Sequence, residues 1–208
     1  MSFLSQYGHI ALISAVLGLI ALGFGFNFVL PGLRLGRQHQ AAITALQNLK
    51  PDIGSQVTDL ERIAQEVMGN DRLLHCWKEF TETLHPQTRT NEFGQEEVVR
   101  WRATAMAESF FTEQALVDTP LKAEFYKHLP GILTGIGIIG TFSGLILGLI
   151  DFEVSTDADQ VRRSLASLIQ NVGHAFIVSA SAIALAMFFI WIEKSVVTRR
   201  YREVETLC

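Results

Sequence analysis

The chain has 208 residues, of which 49% are hydrophobic and 18% charged, with a formal net charge of −4. That charged share lies below the roughly 25% usual for soluble domains. The net charge says nothing about nucleic acid, and no basic patch interleaved with aromatic residues is present, so no direct nucleic-acid binding is expected from this segment.

Three windows contain no Asp, Glu, Lys or Arg and reach the roughly 20 apolar residues needed to cross hydrocarbon: residues 9–30, 129–150 and 172–192. A cleaved signal peptide is the rival reading of the first. No basic residue precedes it, however, and its apolar run exceeds a typical signal core. Lys and Arg fall after the first window (Arg34, Arg37, Lys50), before the second (Lys122, Lys127) and after the third (Lys194, Arg199, Arg200, Arg202). The positive-inside bias places the N-terminus outside and both the middle region and the C-terminus inside. Arg162 and Arg163 are exceptions, partly offset by Asp151, Glu153, Asp157 and Asp159.

The expected fold is an all-α membrane protein with three transmembrane helices and a helical cytoplasmic insertion, residues 31–128, between the first and second. Helical spacing runs over residues 38–49 and 55–68, broken by Pro51 and Gly54, and over 70–84, ended by Pro86. Turn chemistry at Asn91 to Gly94 makes residues 88–99 a short hairpin or a loop. Helical spacing resumes at Trp101 and stops at Asp118-Thr119-Pro120.

The second window reads LPGILTGIGIIGTFSGLILGLI, with Pro130 placed in a helical first turn, where proline is tolerated. Gly140, Gly144 and Gly148 recur every four residues, so they share a helix face, and side chains this small let helices approach closely in lipid. Thr141 sits amid them.

The external connection, residues 151–171, includes an amphipathic helix capped by Ser155 or Thr156, with Asp157 and Asp159 in its first turn. Val161, Leu165, Leu168 and Val172 carry helical spacing into the third window, so one helix is expected from residue 157 past 192. Residues 193–208 read as the start of a cytoplasmic tail. Val197, Tyr201, Val204 and Cys208 hold a four-and-three spacing that is still running at the last residue, so a longer tail is expected.

No phosphate-binding loop, paired-cysteine motif or nucleophile with its base is present, so the chain does not read as an enzyme and no cofactor is expected. Cys76 and Cys208 both fall on the cytoplasmic side, where thiols stay reduced. Within the membrane, Ala175, Ser179, Ala182 and Ala186 form a small-residue stripe. Thr141 and Ser179 lie nine and seven residues from the outer ends of their windows, depths of about 13 and 11 Å. The plain reading of such hydroxyls is a bond back to their own helix. The matched depth and matched faces put a shared role level with that plain reading.

His174, and His9 in the first window, are the ionisable groups of the spans; His174 is a candidate proton relay. His75, Glu79 and Glu82, at i, i+4 and i+7, are candidate ligands for a divalent cation, with a solvated face beside Lys78 the plainer reading. Phe24, Phe26, Phe28, Phe188, Phe189 and Trp191 read as anchors at the inner interface.

The run Ile136-Gly137-Ile138-Ile139-Gly140-Thr141-Phe142-Ser143-Gly144-Leu145 resembles the second-span signature of the MotA/TolQ/ExbB proton-channel family. Ala175-Phe176-Ile177-Val178-Ser179 resembles its third-span motif. The string from Leu129 to Gly135, leading into Gly140-Thr141-Phe142, is most similar to the motor subunits of the Zorya anti-phage defence system. Span number and order match TolQ and ExbB, whereas MotA has four spans.

The resemblance implies a bacterial inner-membrane stator, a pentamer surrounding two copies of a single-span partner that each supply a transmembrane Asp. Thr141 and Ser179 would face that Asp along the ion pathway. Gly137, Gly140, Gly144, Gly148, Ala175 and Ala182 would pack the helices around the partner. Because the spans hold no acid, the titrating carboxylate belongs to the partner. The coupling ion is then a proton, with sodium an alternative, and its influx becomes rotation passed to the cytoplasmic tail. The alternatives are an ExbB/TolQ-like energiser of envelope processes and a passive membrane scaffold.

Overall fold

The structure, a computed structural model, describes residues 2–53, 60–91, 93–150, 152 and 157–208. The protein is mostly helical, and three helices are long and apolar enough to cross a membrane: Ala11–Leu49, Ala123–Ile150 and Ala158–Leu207. Each contains or overlaps one of the three apolar windows. The chain divides into two compact units, Met1–Phe28 with Glu124–Lys194, and Val29–Ala123 with Ser195–Cys208.

In the first unit, α1 (Ser2–Phe24) carries no charged residue, and from Ala11 on its residues are apolar apart from Ser14. It leads into a π-helical turn, Gly25–Val29, where Asn27 donates its side-chain amide to the carbonyl of Gly23 at 3.0 Å. That bond satisfies a polar group lying within an apolar window.

Two long helices, α6 (Ala123–Ile150) and α7 (Ala158–Leu207), run antiparallel. Phe24 stacks on Phe28 (centroids 5.1 Å) and on Phe189 of α7 (4.2 Å), while Tyr126 of α6 closes the cluster at 4.9 Å from Phe28. Phe28 is fully buried, whereas Phe26, Phe188 and Trp191 are exposed. The aromatic residues therefore divide into an inward cluster and an outward set.

Two details of these helices differ from expectation. The α6 helix begins at Ala123, after the left-handed Lys122 (φ 49°), which places Pro130 in its interior. Proline there forfeits one backbone bond, a loss that membrane bundles accommodate. The expected caps Ser155 and Thr156 lie outside the described residues; Asp157 takes the role, its carboxylate accepting from Asp159 N at 3.1 Å.

In the second unit, α2 (Leu30–Ile53) continues through Pro51, and Gly54 lies outside the described residues. The helices α3 (Leu60–Glu66) and α4 (Asp71–Thr81) follow. Asn70 caps α4 by accepting from Arg72 N at 3.0 Å and donates to Gln38 of α2 at 2.8 Å, so one side chain starts one helix and ties it to another.

Within this mostly helical unit lies a hairpin, one of the two readings of residues 88–99, and it is longer than expected. Strands β1 (Leu84–Thr90) and β2 (Glu96–Ala103) pair antiparallel, with a register shift between Gln87 and Thr88. Trp101, assigned from sequence to a helix, faces Pro86 across this hairpin. Val98, Val99 and Trp101 favour an extended chain, and the Asn91–Gly94 turn brings the strands together. Asn91 Oδ1 accepts from Phe93 N and Gln95 N, and Gly94 takes the left-handed φ of +77°. A π-helical turn, Gln114–Asp118, and the short α5 (Thr119–Leu121) complete the unit before its last segment, the end of α7.

Candidate ion-pathway seam

Four of the six glycines of α6, Gly137, Gly140, Gly144 and Gly148, are buried against α7 of the same chain. A methyl group added at Gly137 would lie 3.0 Å from Ala182 Cβ and 3.4 Å from the Ser179 carbonyl oxygen; at Gly144 it would lie 2.5 Å from Ala175 Cβ. At Gly148 it would meet Leu168 at 3.0 Å and Asn171 Cβ at 3.4 Å. At Gly140 it would sit 3.5 Å from both Val178 and Ile13, so α1 joins the other two helices at that level. Backbones this close leave no room for larger side chains, which is how small residues hold helices together in lipid. The ladder's neighbour is therefore this chain's own third span, with Ala175 and Ala182 buried on the facing side.

Thr141 donates its hydroxyl to the carbonyl oxygen of Gly137 at 3.0 Å. Thr134 and Ser181 make equivalent bonds, to Pro130 at 3.0 Å and to Val178 at 2.8 Å. Thr141 thus adopts the ordinary bond of a hydroxyl in an apolar helix, which leaves its oxygen lone pairs as acceptors. Ser179 is partly buried, with its backbone against Gly137. The two hydroxyl residues are brought to the same glycine, one through a hydrogen bond and one through close backbone approach.

Residues 5–208 match the family described as "Anti-phage protein ZorA, Zorya type I system". The chain is also 41% identical over 201 residues to the Zorya protein ZorA of Escherichia coli O139:H28 (strain E24377A / ETEC), an alignment covering 92% of this chain. The chain belongs to the ZorA-like family. It spans 26% of the length of that E. coli ZorA.

His174, partly buried, precedes Ala175 on α7, and the side chain of His9 lies outside those described. His75 Nε2 approaches Glu79 Oε1 at 3.4 Å on an exposed face of α4, and Glu82 is that helix's C-cap. No group of three or more His, Cys, Asp or Glu side chains gathers for a metal ion among the described residues.

Sequence reading passed over two residues of this ZorA-like chain. Asn171 packs on Gly144 and Gly148; it lies one residue before the third window and shares the stripe of Ala175, Ala182 and Ala186, a spacing that could have revealed it. Glu193 follows the same window and is buried at 6% exposure, with Lys194 Nζ 3.8 Å away.

Proposed function

We propose that this chain is the membrane-embedded stator and channel subunit of a proton-driven inner-membrane rotary motor that acts in anti-phage defence. The subunit works as a homo-pentamer around two copies of a single-span, ZorB-like partner carrying a transmembrane Asp. The N-terminus is periplasmic and the C-terminus cytoplasmic. Family membership supports the defence role, and the observation that carries the ion pathway is the placement of Thr141 and Ser179 at Gly137 on a seam without acids.

A carboxylate in hydrocarbon is costly unless hydrogen-bond donors meet it. Two hydroxyls supply such donors at one depth without adding a competing charge. Protonation of the Asp removes its need for them, so the partner helix can turn to the next subunit and release its proton there. Thr141 exchanges its bond to Gly137 for one to the carboxylate when the Asp arrives ionised.

The test compares wild type with Thr141→Val in cells carrying the complete gene cluster, counting plaques at equal protein levels, and in vesicles containing the partner, measuring proton uptake. Loss of both protection and uptake supports the motor. Unchanged proton uptake overturns the pathway and advances a passive scaffold, the reading that Thr141's bond to its own helix favours. Uptake lost with protection retained would reassign the motor to an envelope-energising role of the ExbB/TolQ kind.

A further inference from the structure

Within the second unit, α2 and the end of α7 lie parallel in one alignment. Gly32 faces Val196, Gly36 faces Arg200, and His39 Nδ1 lies 3.5 Å from Glu203 Oε2, each pair being 164 positions apart. The next pair in this series is Ile43 and Leu207. Around these contacts the seam is apolar, with Leu35, Ala42, Val197 and Val204 buried.

Apolar residues at spacings of three and four match one another equally well after a shift of one helical turn, so they cannot choose an alignment by themselves. One layer is different. His39 is fully buried, and Arg200 and Glu203 are each 12% exposed, with Arg200 Nη1 3.0 Å from Glu203 Oε2. The Arg200 guanidinium occupies the space that any side chain at position 36 would need. Both nitrogens of His39 and Arg200 Nε are sealed from solvent without a hydrogen-bond partner among the described residues, and Glu203 Oε2, equally sealed, is met by the Arg200 guanidinium. Burying polar atoms this way costs stability, and a buried ionic layer serves best where it sets a register.

We propose that His39, Arg200 and Glu203 form a register key that permits one alignment of the end of α7 on α2 and so fixes the rotation of that segment. In the rotamer observed, the Arg200 guanidinium fits only opposite a glycine, and Glu203 needs a neighbour that is neither acidic nor bulky and apolar. The notch at Gly36 and the imidazole at His39 meet both needs in the observed alignment; the one-turn shift that brings Leu207 to Gln47 places Gln40 opposite Arg200 and Ile43 opposite Glu203. The inference concerns this chain's own packing and stands apart from the motor reading.

The test uses disulfide cross-linking of the full chain in lipid, with Cys76 and Cys208 replaced by serine. One cysteine pair, Ile43→Cys with Leu207→Cys, reports the observed alignment. The other, Gln47→Cys with Leu207→Cys, reports a one-turn shift. With the key intact, only the first pair is expected to link. In His39→Leu/Arg200→Leu/Glu203→Leu the shifted pair is expected to rise several-fold while the melting temperature stays level or increases. Arg200→Ala, which empties the notch and removes the ion pair with Glu203, is expected to give the same shifted product. Exclusive linking of the first pair in Arg200→Ala overturns the proposal, whatever the triple variant does.

Discussion

The hydroxyl of Thr141 and the carbonyl oxygen of Gly137 are joined by a 3.0 Å hydrogen bond within α6, at the glycine that also receives the backbone of Ser179. Such a bond contributes about 0.5–1.5 kcal/mol. Replacing Thr141 by valine, nearly the same shape, is therefore expected to move the melting temperature little. Proton flux should fall by about tenfold or more, the equivalent of about 1.4 kcal/mol at the transition state. Thr141→Ser should keep most of the flux. Equal flux in all three proteins, measured in partner-containing vesicles, would remove Thr141 from the pathway.

Packing at Gly144 is tighter still, because an added methyl would lie 2.5 Å from Ala175 Cβ. Gly144→Ala is expected to destabilise the first unit by about 1–3 kcal/mol through overpacking. Adding Ala175→Gly should restore much of the loss. Gly135→Ala is the matched control, since nothing lies within 4 Å of a methyl at that position. Thermal unfolding in detergent reads all three, and equal losses at positions 135 and 144 would show that the contact with Ala175 is unimportant.

At the aromatic cluster the expected contrast is between neighbours. Phe24 is buried and stacks on Phe28 and Phe189, while Phe26, two residues on, is exposed. Phe24→Ala should cost about 3–5 kcal/mol, as core phenylalanine truncations do. Phe26→Ala should cost far less in detergent, and similar unfolding midpoints for the two would contradict the division into inner and outer rings.

Burial and the charge of Arg200 hold the His39 imidazole down from 6.5 to about 4, so it is neutral at neutral pH and its contact with Glu203 is not an ion pair. A histidine depressed in the folded state contributes nothing unfavourable above its unfolded value. As pH falls from about 6.5 towards 4, the unfolded chain binds the proton first and stability drops, by up to about 3 kcal/mol at 1.36 kcal/mol per unit. Burial raises the Glu203 carboxyl, with Arg200 opposing. That group's preference runs the other way, since a folded chain that holds its proton more tightly gains as pH falls. Comparing wild type with His39→Leu isolates the histidine: the wild type should lose more stability than the variant between pH 7 and pH 5. Parallel pH profiles would place His39 in water.

The three apolar helices were legible because length and the absence of charge suffice to mark a membrane-crossing segment. The face carrying Gly140, Gly144 and Gly148 was legible from its period, but a period says only which residues share a face. That α7 of the same chain fills it is a fact of tertiary structure. The hairpin was half visible in Asn91 and Gly94; its strands were not, because Trp101 fits a helical spacing as readily as a strand and only pairing with Pro86 decides. The layer of His39, Arg200 and Glu203 left no local trace, since its members lie on segments far apart in sequence. Proline was the misleading signal at both Pro51 and Pro130, since each lies within a helix that continues past it.

The hairpin tip offers experiments a handle. Asn91 and Gly94 shape it through bonds made within the turn, and Phe93 is 88% exposed. A fluorophore or short epitope at position 93 therefore displaces no neighbouring side chain. A chain labelled there can be followed by light while every contact discussed above stays in place.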